Sequence, residues 1–375
     1  MKKVLITLLC LFTVFSNSIS IRSIGWIVEY HDVNKKDWYY DCVISATQEG
    51  LMKSTGKGNS YFEPNKTITR GMVATILYRM DGQPSVSFRN RFKDVKKGLW
   101  YSNAITWASN KSIVNGYKNG DFGPDNAITR QDLAVMFKNY ANYMKLDMSN
   151  NVNLNKYIDA SKVDSYAKDA MKWCVSKGII SGSKKANGIY LNPKQKATRA
   201  ECAKMIMSLK ALWKNKFINL ANEVLTCPIG YNNKTYISNL DKFHICINIA
   251  AKRKLLTSTN NPNYIIQGSS IKRTDMNNIM NEFFGHDYSD SMVSGNPEVI
   301  ASYSNAIDFH YSDGVLGTYK AIFQYVNGSG SQYVVVDGFG YDHTGNLVSY
   351  ITLTFKRKEG SKHGFVVSDI YVEED

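Results

Sequence analysis

Cysteine is scarce in this chain, and what there is forms no pattern. Of the 6 in 375 residues, Cys10 sits in an N-terminal apolar run, and Cys42, Cys174, Cys202, Cys227 and Cys246 are spread over the rest. An odd, dispersed set argues against a disulfide framework or a zinc site. It leaves buried free thiols or a single bridge, Cys174 with Cys202 or Cys227 with Cys246. Familiar catalytic spacings are missing too. There is no HExxH or GxSxG, and His244, His286, His310, His343 and His363 in the second half keep no metal or nucleophile spacing. "HDYSDSMVSGN", His286 to Asn296, lacks the spaced oxygens of a calcium loop. No metal or cofactor is expected, and a binding role is favoured over catalysis. Acids are short as well: 32 against 46 basic residues, a net charge of +14. The lysines are scattered and no basic run carries interleaved aromatics, so nucleic acid is not the expected partner. A solvated basic surface suits anionic wall polymers and membrane surfaces.

The one long apolar run is at the start. "MKKVLITLLCLFTVFSNSIS", residues 1–20, has two lysines, an apolar core and small polar residues, the layout of a secretory signal peptide rather than a membrane span. Cys10 is expected to leave with it. The remainder, about 350 residues, is enough for two or three domains, with no integral membrane segment.

Three segments of about sixty residues align with one another. They run from Tyr30 to Met80, Phe92 to Tyr140 and Tyr157 to Leu209. Each reads helix, loop, helix. A leading acid (Asp32, Asp94, Asp159) and an aromatic (Trp38, Trp100, Tyr166) come first, and the first helix ends near a glycine, as Gly116 and Gly182 indicate. A loop with Pro64, Pro124 or Pro193 leads into the second helix. There Val73, Ile76, Leu77 and Met80 keep i, i+3, i+4, i+7 register, as do Leu133, Met136, Phe137, Tyr140 and Cys202, Met205, Ile206, Leu209. So short a unit cannot bury that face alone, so the three are expected to pack together.

Thr69, Thr129 and Thr198 are placed to cap the second helices, with Asp132 and Glu201 at the capping-box position and Met72 in the first repeat. That puts Arg70, Arg130 and Arg199 at N1, where a cation opposes the helix dipole by about 0.3–1 kcal/mol. At about 100° per residue, N1 lies at the edge of the apolar stripe, where neighbouring repeats meet. Two readings are open. The arginine and the free N–H groups of the helix start can clamp an anion, or the arginine can bridge an acid of the next repeat, such as Asp94 or Asp159, to fix packing.

"FKDV…WYSNAITWAS…IVNGYKNGDFGP…ITRQDLA" resembles the middle unit of a trio of S-layer homology (SLH) domains, with "TRGMVATILYRMDGQP" and "AMKWCVSKGIISG…LNP…ATRAECAKMI" resembling the first and last. The resemblance covers about Gly25 to Leu212. It implies an all-α pseudo-threefold arrangement of helix-loop-helix repeats at 25–87, 88–150 and 151–212. It also implies a location at the bacterial cell wall or S-layer surface. The implied partner is secondary cell-wall polysaccharide attached to peptidoglycan, held in the grooves between repeats, often through a pyruvate ketal. Carried over, Arg70, Arg130 and Arg199 become the anion contacts. Asp32, Asp94, Asp159, Trp38, Trp100, Tyr166, Gly116 and Gly182 shape the grooves. Ser54 in place of glycine, Lys53 in place of asparagine and Tyr166 in place of tryptophan depart from the pattern. By motif completeness the groove on Arg130 ranks first and that on Arg70 last.

From Trp213 the repeat ends. "KFINLANEVL" and "TDMNNIMNEFFG", the latter capped by Thr274 and stopped by Gly285, read as helices. "YKAIFQYV", "QYVVVDGFGYD", "LVSYITLTFKRK" and "GFVVSDIYVEE" read as strands joined by short turns. Residues 213–375 are therefore expected to form an α+β domain, an antiparallel meander with helices on one side, and the whole chain is α+β. Its displayed partner is unknown from sequence. An anchored enzyme acting on wall glycan or peptide is the alternative to a displayed interaction domain.

Overall fold

The computed structural model describes residues 29–55, 60–224, 239–259, 268–292, 299–302, 306–309, 320–327, 333–341 and 347–374. The expected signal peptide, Cys10, Cys227, His310 and His343 lie outside them. Each repeat contributes two helices: α1 (Tyr40–Gln48) and α2 (Arg70–Met80), then α3 (Ser102–Asn110) and α4 (Arg130–Tyr143), then α5 (Lys168–Ser176) and α6 (Arg199–Val224). The expected threonines cap the second helices. Thr69 accepts from Met72 N at 3.3 Å, Thr129 from Asp132 N at 3.2 Å and Thr198 from Glu201 N at 3.2 Å. Glu201 returns the bond to Thr198 N at 2.9 Å, completing a capping box. The apolar stripes are buried, with Val73, Leu77, Leu133, Phe137, Cys202 and Ile206 all fully covered.

The repeats pack in a cycle: α2 lies on α3, α4 on α5, and α6 returns to α1. Short bridges join the same segments, Thr69 with Ala127, Thr129 with Lys196 and Thr67 with Thr198. One expectation needs correcting. The first helices end not at Gly116 and Gly182 but four residues earlier, at Gly50, Ser112 and Gly178, whose φ values are 70°, 56° and 71°. This is the left-handed conformation that commonly closes a helix. Among the described residues Cys42, Cys174, Cys202 and Cys246 are free, so Cys174 and Cys202 form no bridge, while the Cys227–Cys246 candidate involves a residue outside them. Burial pushes the Cys202 thiol up to about 12.

The second half contains the expected meander. Strands β7 (Lys320–Asn327), β8 (Tyr333–Tyr341), β9 (Leu347–Arg357) and β10 (Phe365–Glu374) pair antiparallel in that order. Its inward positions, Val334, Val336, Leu353 and Phe355, are buried. A further four-stranded sheet was not foreseen: β3 (Leu256–Thr259), β4 (Gly268–Lys272), β6 (Ala306–Phe309) and β5 (Val299–Ser302). Nor was α7 (Asn239–Lys252). Repeat three also carries a small hairpin, β1 (Ser183–Lys185) with β2 (Gly188–Tyr190). Helix α8 spans Arg273–Phe283, so Thr274 lies inside it rather than capping it.

"KFINLANEVL" is not a separate helix. It is the continuation of α6, which runs unbroken across residue 212 and packs on β7 and β8. Phe217 of α6 meets the rings of Phe355 and Phe365 at 5.5 and 4.9 Å. The two halves also share buried polar contacts. Arg357 donates to Asp81 Oδ1 at 2.9 Å and lies over the Tyr143 ring at 4.6 Å. Tyr143 OH donates to the other Asp81 oxygen at 3.1 Å. Lys216 Nζ donates to Met144 O at 2.8 Å and His363 O at 2.6 Å. Burial raises the Asp81 carboxyl to about 6 in spite of Arg357 and lowers the Lys216 amine to about 7.

Candidate functional site: the seams between repeats

The leading acids prepare each seam from inside their own repeat. Asp94 accepts the amides of Phe122 and Gly123, both at 2.7 Å. Asp32 accepts those of Phe62 and Glu63 at 2.9 and 2.7 Å, and Asp159 those of Leu191 and Asn192 at 2.7 and 2.8 Å. A carboxylate with two backbone donors on its two oxygens fixes the loop ahead of each proline. Phe62, Phe122 and Leu191 stand two residues before Pro64, Pro124 and Pro193, an in-phase signal that sequence reasoning passed over.

The carbonyls of those same residues receive the arginines of the neighbouring repeat. Arg70 Nε donates to Phe122 O at 2.9 Å, Arg130 Nε to Leu191 O at 2.9 Å and Arg199 Nε to Phe62 O at 2.7 Å. The hand-off thus runs from repeat one to two, two to three and three back to one. The guanidinium groups go deeper than an edge position implies, leaving Arg70, Arg130 and Arg199 only 7%, 6% and 5% exposed. Burial lowers the Arg199 pKa from its ordinary value.

The helix starts are not free. Arg70 N and Gly71 N donate to Asn126 O and Pro124 O, Arg130 N and Gln131 N to Gln195 O and Pro193 O, and Arg199 N and Ala200 N to Lys66 O and Pro64 O. With the third amide capped by threonine, an anion in these seams meets guanidinium nitrogens, not open N–H groups. The bridging reading therefore describes the backbone geometry, but with loop carbonyls, not Asp94 or Asp159, as the partners.

The remaining guanidinium bonds differ between seams. Arg70 Nη2 donates to Asn115 O at 2.9 Å and Arg199 Nη2 to Lys53 O at 2.7 Å. Their Nη1 atoms have no acceptor among the described residues. Arg130 instead turns Nη1 to Glu201 Oε1 at 3.0 Å.

The three aromatics are surface residues. Trp38, Trp100 and Tyr166 are 60%, 58% and 60% exposed, and Trp38 and Tyr166 reach a neighbouring repeat. Trp38 lies beside Arg199, with Lys204 Nζ 5.4 Å from its ring. Tyr166 lies beside Arg130 and its hydroxyl donates to Asp132 at 2.6 Å. Burial and that bond raise the phenol's pKa. Tyr117, which no repeat pattern singles out, stacks 4.8 Å from the Arg70 guanidinium and is 44% exposed. Gly116 and Gly182 lie behind the seam loops. A Cβ on Gly116 would stand 2.6 Å from Asp121 O and from the Phe92 ring, and one on Gly182 (φ 81°) 2.9 Å from the Tyr157 ring. They permit close backbone approach and do not face the grooves directly.

Elsewhere, a cleft of about 530 Å³ lies between α8 and the β9–β10 turn and includes Asp275, Glu282, Lys358 and Glu359. Glu282 is bound by Arg253, Lys362 and His363. Burial alone raises its pKa, but those three bonds outweigh it and hold the carboxyl well below the usual carboxylate range. Cys246 is buried, with its thiol pKa raised by burial. Among the described residues no three His, Cys, Asp or Glu side chains are grouped to hold a metal. No described helix is long and apolar enough to cross a membrane.

The in-phase acid, proline loop and N1 arginine recur in each of the three segments. Residues 29–71, 91–134 and 156–203 match the S-layer homology domain. The chain is 30% identical over 185 residues to an endoglucanase of Bacillus sp. (strain KSM-635), covering 49% of this chain and 19% of that protein. It is 30% identical over 188 residues to the surface-layer 125 kDa protein of Lysinibacillus sphaericus, covering 49% and 15%. It is 28% identical over 179 residues to the S-layer protein sap of Bacillus anthracis, covering 47% and 20%. The chain thus matches about a fifth or less of the length of these relatives. Three such matches, with surface-layer proteins among the relatives, indicate a secreted protein at the cell wall or S-layer surface.

Proposed function

We propose that the pseudo-threefold set of repeats anchors this protein non-covalently by binding an anionic, pyruvylated secondary cell-wall polysaccharide in the seams, and that the C-terminal α+β domain is displayed for interaction. The supporting observation is a buried guanidinium, with Nη1 unbonded in Arg70 and Arg199, near an exposed aromatic across the same seam: Tyr117 lies 4.8 Å from Arg70, and Trp38 meets Lys204 of the helix that carries Arg199. The guanidinium supplies charge-assisted hydrogen bonds to a carboxylate, and the indole face supplies an apolar platform for a sugar ring. Asp32, Asp94 and Asp159, with Gly116 and Gly182, hold the loops whose carbonyls aim the arginines. Several seams on one rigid module bind a repetitive polymer by avidity.

The test is sedimentation with purified walls before and after removal of pyruvyl groups. Trp38→Ala and Trp100→Ala touch exposed rings, so they probe binding with little effect on folding. Each is expected to weaken retention by about tenfold, the scale of one lost hot-spot contact. Retention that survives depyruvylation at moderate salt would mean that scattered lysines, not the seams, hold the wall.

An anchored enzyme acting on wall glycan or peptide is the second reading, favoured by the cleft at α8, which carries acids and bases side by side. Release of soluble fragments from purified walls by the intact chain, abolished by Glu359→Gln, is the outcome that supports it.

A further inference from the structure

The three seams are built alike but are not electrostatically alike, and the difference lies at the third residue of each second helix: Met72, Asp132 and Glu201. The arginine of one repeat faces the helix start of the next. Arg130 meets Glu201, and by the same cycle the corresponding residues are Asp132 for Arg70 and Met72 for Arg199.

Only glutamate has both the charge and the reach. Glu201 Oε1 accepts from Arg130 at 3.0 Å, and the two side chains are 20% and 8% exposed, so the pair is largely screened from water. Asp132 is a methylene shorter, and both its oxygens are committed, one to Thr129 Oγ1 and one to Tyr166 OH, each at 2.6 Å. Met72 carries no charge. Among the described residues, Arg70 and Arg199 have no carboxylate within ion-pair distance. The nearest acids to Arg199, Asp32 and Glu63, are occupied by loop amides and by Lys66.

The Arg130 seam is also closed at its mouth. Gln131 Nε2 donates to Tyr166 OH at 2.9 Å and to Asp164 at 2.6 Å, and Lys194 pairs with Asp164. The tyrosine is thus tied to a network bearing two carboxylates, whereas Trp38 has a cation, Lys204, 5.4 Å from its ring.

We propose that Glu201 is a specificity-determining residue that withholds Arg130 from anionic ligand, so that the wall polymer is gripped at the Arg70 and Arg199 seams and the Arg130 seam serves as a structural joint. This rests on the seams being the binding sites. It reverses the ranking by motif completeness, because the acid that completes the motif is the group that neutralises the arginine. An incoming carboxylate must displace Glu201 before it gains the guanidinium, and it does so against the negative charge of Asp132 and Asp164.

The experiment titrates the full chain with a methyl glycoside of a pyruvylated N-acetylhexosamine and follows each seam by NMR. The probes are the indole N–H signals of Trp38 and Trp100 and the Nε–H signals of Arg70, Arg130 and Arg199. In the native protein the Arg70 and Arg199 seams should saturate at about tenfold or more lower ligand concentration than the Arg130 seam, the weight of one charge-assisted bond. Glu201→Gln keeps the capping box, since glutamine serves there as well. It should raise Arg130-seam affinity by about tenfold while leaving Trp100 titration unchanged. Met72→Glu places an acid at a first-turn position that favours one, and should weaken the Arg199 seam by a similar factor. Equal affinity at all three seams, or a folded Glu201→Gln protein whose Arg130 seam still does not bind, would overturn the role of Glu201 alone. The absence of any seam response in every variant would overturn the binding reading itself.

Discussion

The two halves of this molecule are stabilised by different kinds of contact. In the repeats, the decisive bonds run from side chain to backbone and recur in phase: acid to loop amides, loop carbonyl to arginine, helix amide to the next loop. In the C-terminal half they run from side chain to side chain and occur once, as in the cluster of Arg253, Lys362 and His363 on Glu282. Backbone-directed bonds tolerate drift in the surrounding residues, because every loop has a carbonyl to offer. A single ion cluster depends on each of its members. The contrast explains why one half carries a sequence signature and the other does not.

The largest way to break the contrast is within a repeat. Asp159→Ala leaves the amides of Leu191 and Asn192 without their acceptor in a site 5% exposed, and loosens the carbonyl that receives Arg130. A loss of about 2–6 kcal/mol is expected, at about 1–3 for each of the two orphaned amides, read from urea denaturation by far-UV circular dichroism. If repeat bonds are the common scaffold, the C-terminal transition moves as well, because α6 belongs to both halves. A C-terminal transition left in place would mean the halves are energetically independent.

The junction comes next. Arg357→Met leaves Asp81, almost fully buried, without its cation. A cost of about 2–3 kcal/mol is expected at neutral pH, near the lower end for a broken buried pair, because the Asp81 carboxyl is already raised to about 6 and escapes by taking up a proton. The loss should therefore shrink as pH falls through about 6. A deficit that stays constant with pH would place the effect in packing against Tyr143 instead.

The last test, at Lys216, is read as a slope with pH and not as a difference in one buffer. Its amine titrates near 7 in the folded protein against about 10.4 in an unfolded chain. Above pH 7 the unfolded state binds the proton that the folded state lacks, so stability contributed at this site rises with pH, by at most about 1.4 kcal/mol per unit, up to the unfolded value. Lys216→Met should remove that rise, flattening the pH dependence of Tm between about 7 and 10. Parallel curves for the two proteins would show that the amine stays charged.

How far the sequence carried follows the same divide. Helix positions, caps and core stripes in the repeats were legible because the 3.6-residue pattern occurs three times, each copy checking the others. The meander was legible because β7 to β10 are long, apolar and separated by turn residues. The sheet of β3 to β6 was not, since strands of four or five residues are too short to show alternation. The seam chemistry was half legible. Arginines in phase could be read directly, but their acceptors are carbonyls, which every residue has, so no side chain marks them. Glu201 was read as a helix cap, which it is. Its reach to Arg130 depends on the closure of the cycle, which no single repeat contains.

That cycle has a consequence for how the protein comes out of the cell. The bond from Arg199 to Phe62 O joins residues 137 apart, while the other two hand-offs span 52 and 61. Delivered across a membrane from its amino end, the chain makes the first repeat's loop early and leaves it waiting for an arginine that emerges last. The seam holding Trp38 and Arg199 cannot exist until the third repeat is outside. On the proposed reading of the seams as wall-binding sites, a partly exported chain lacks one of them, and its grip is complete only when translocation of the repeats is finished.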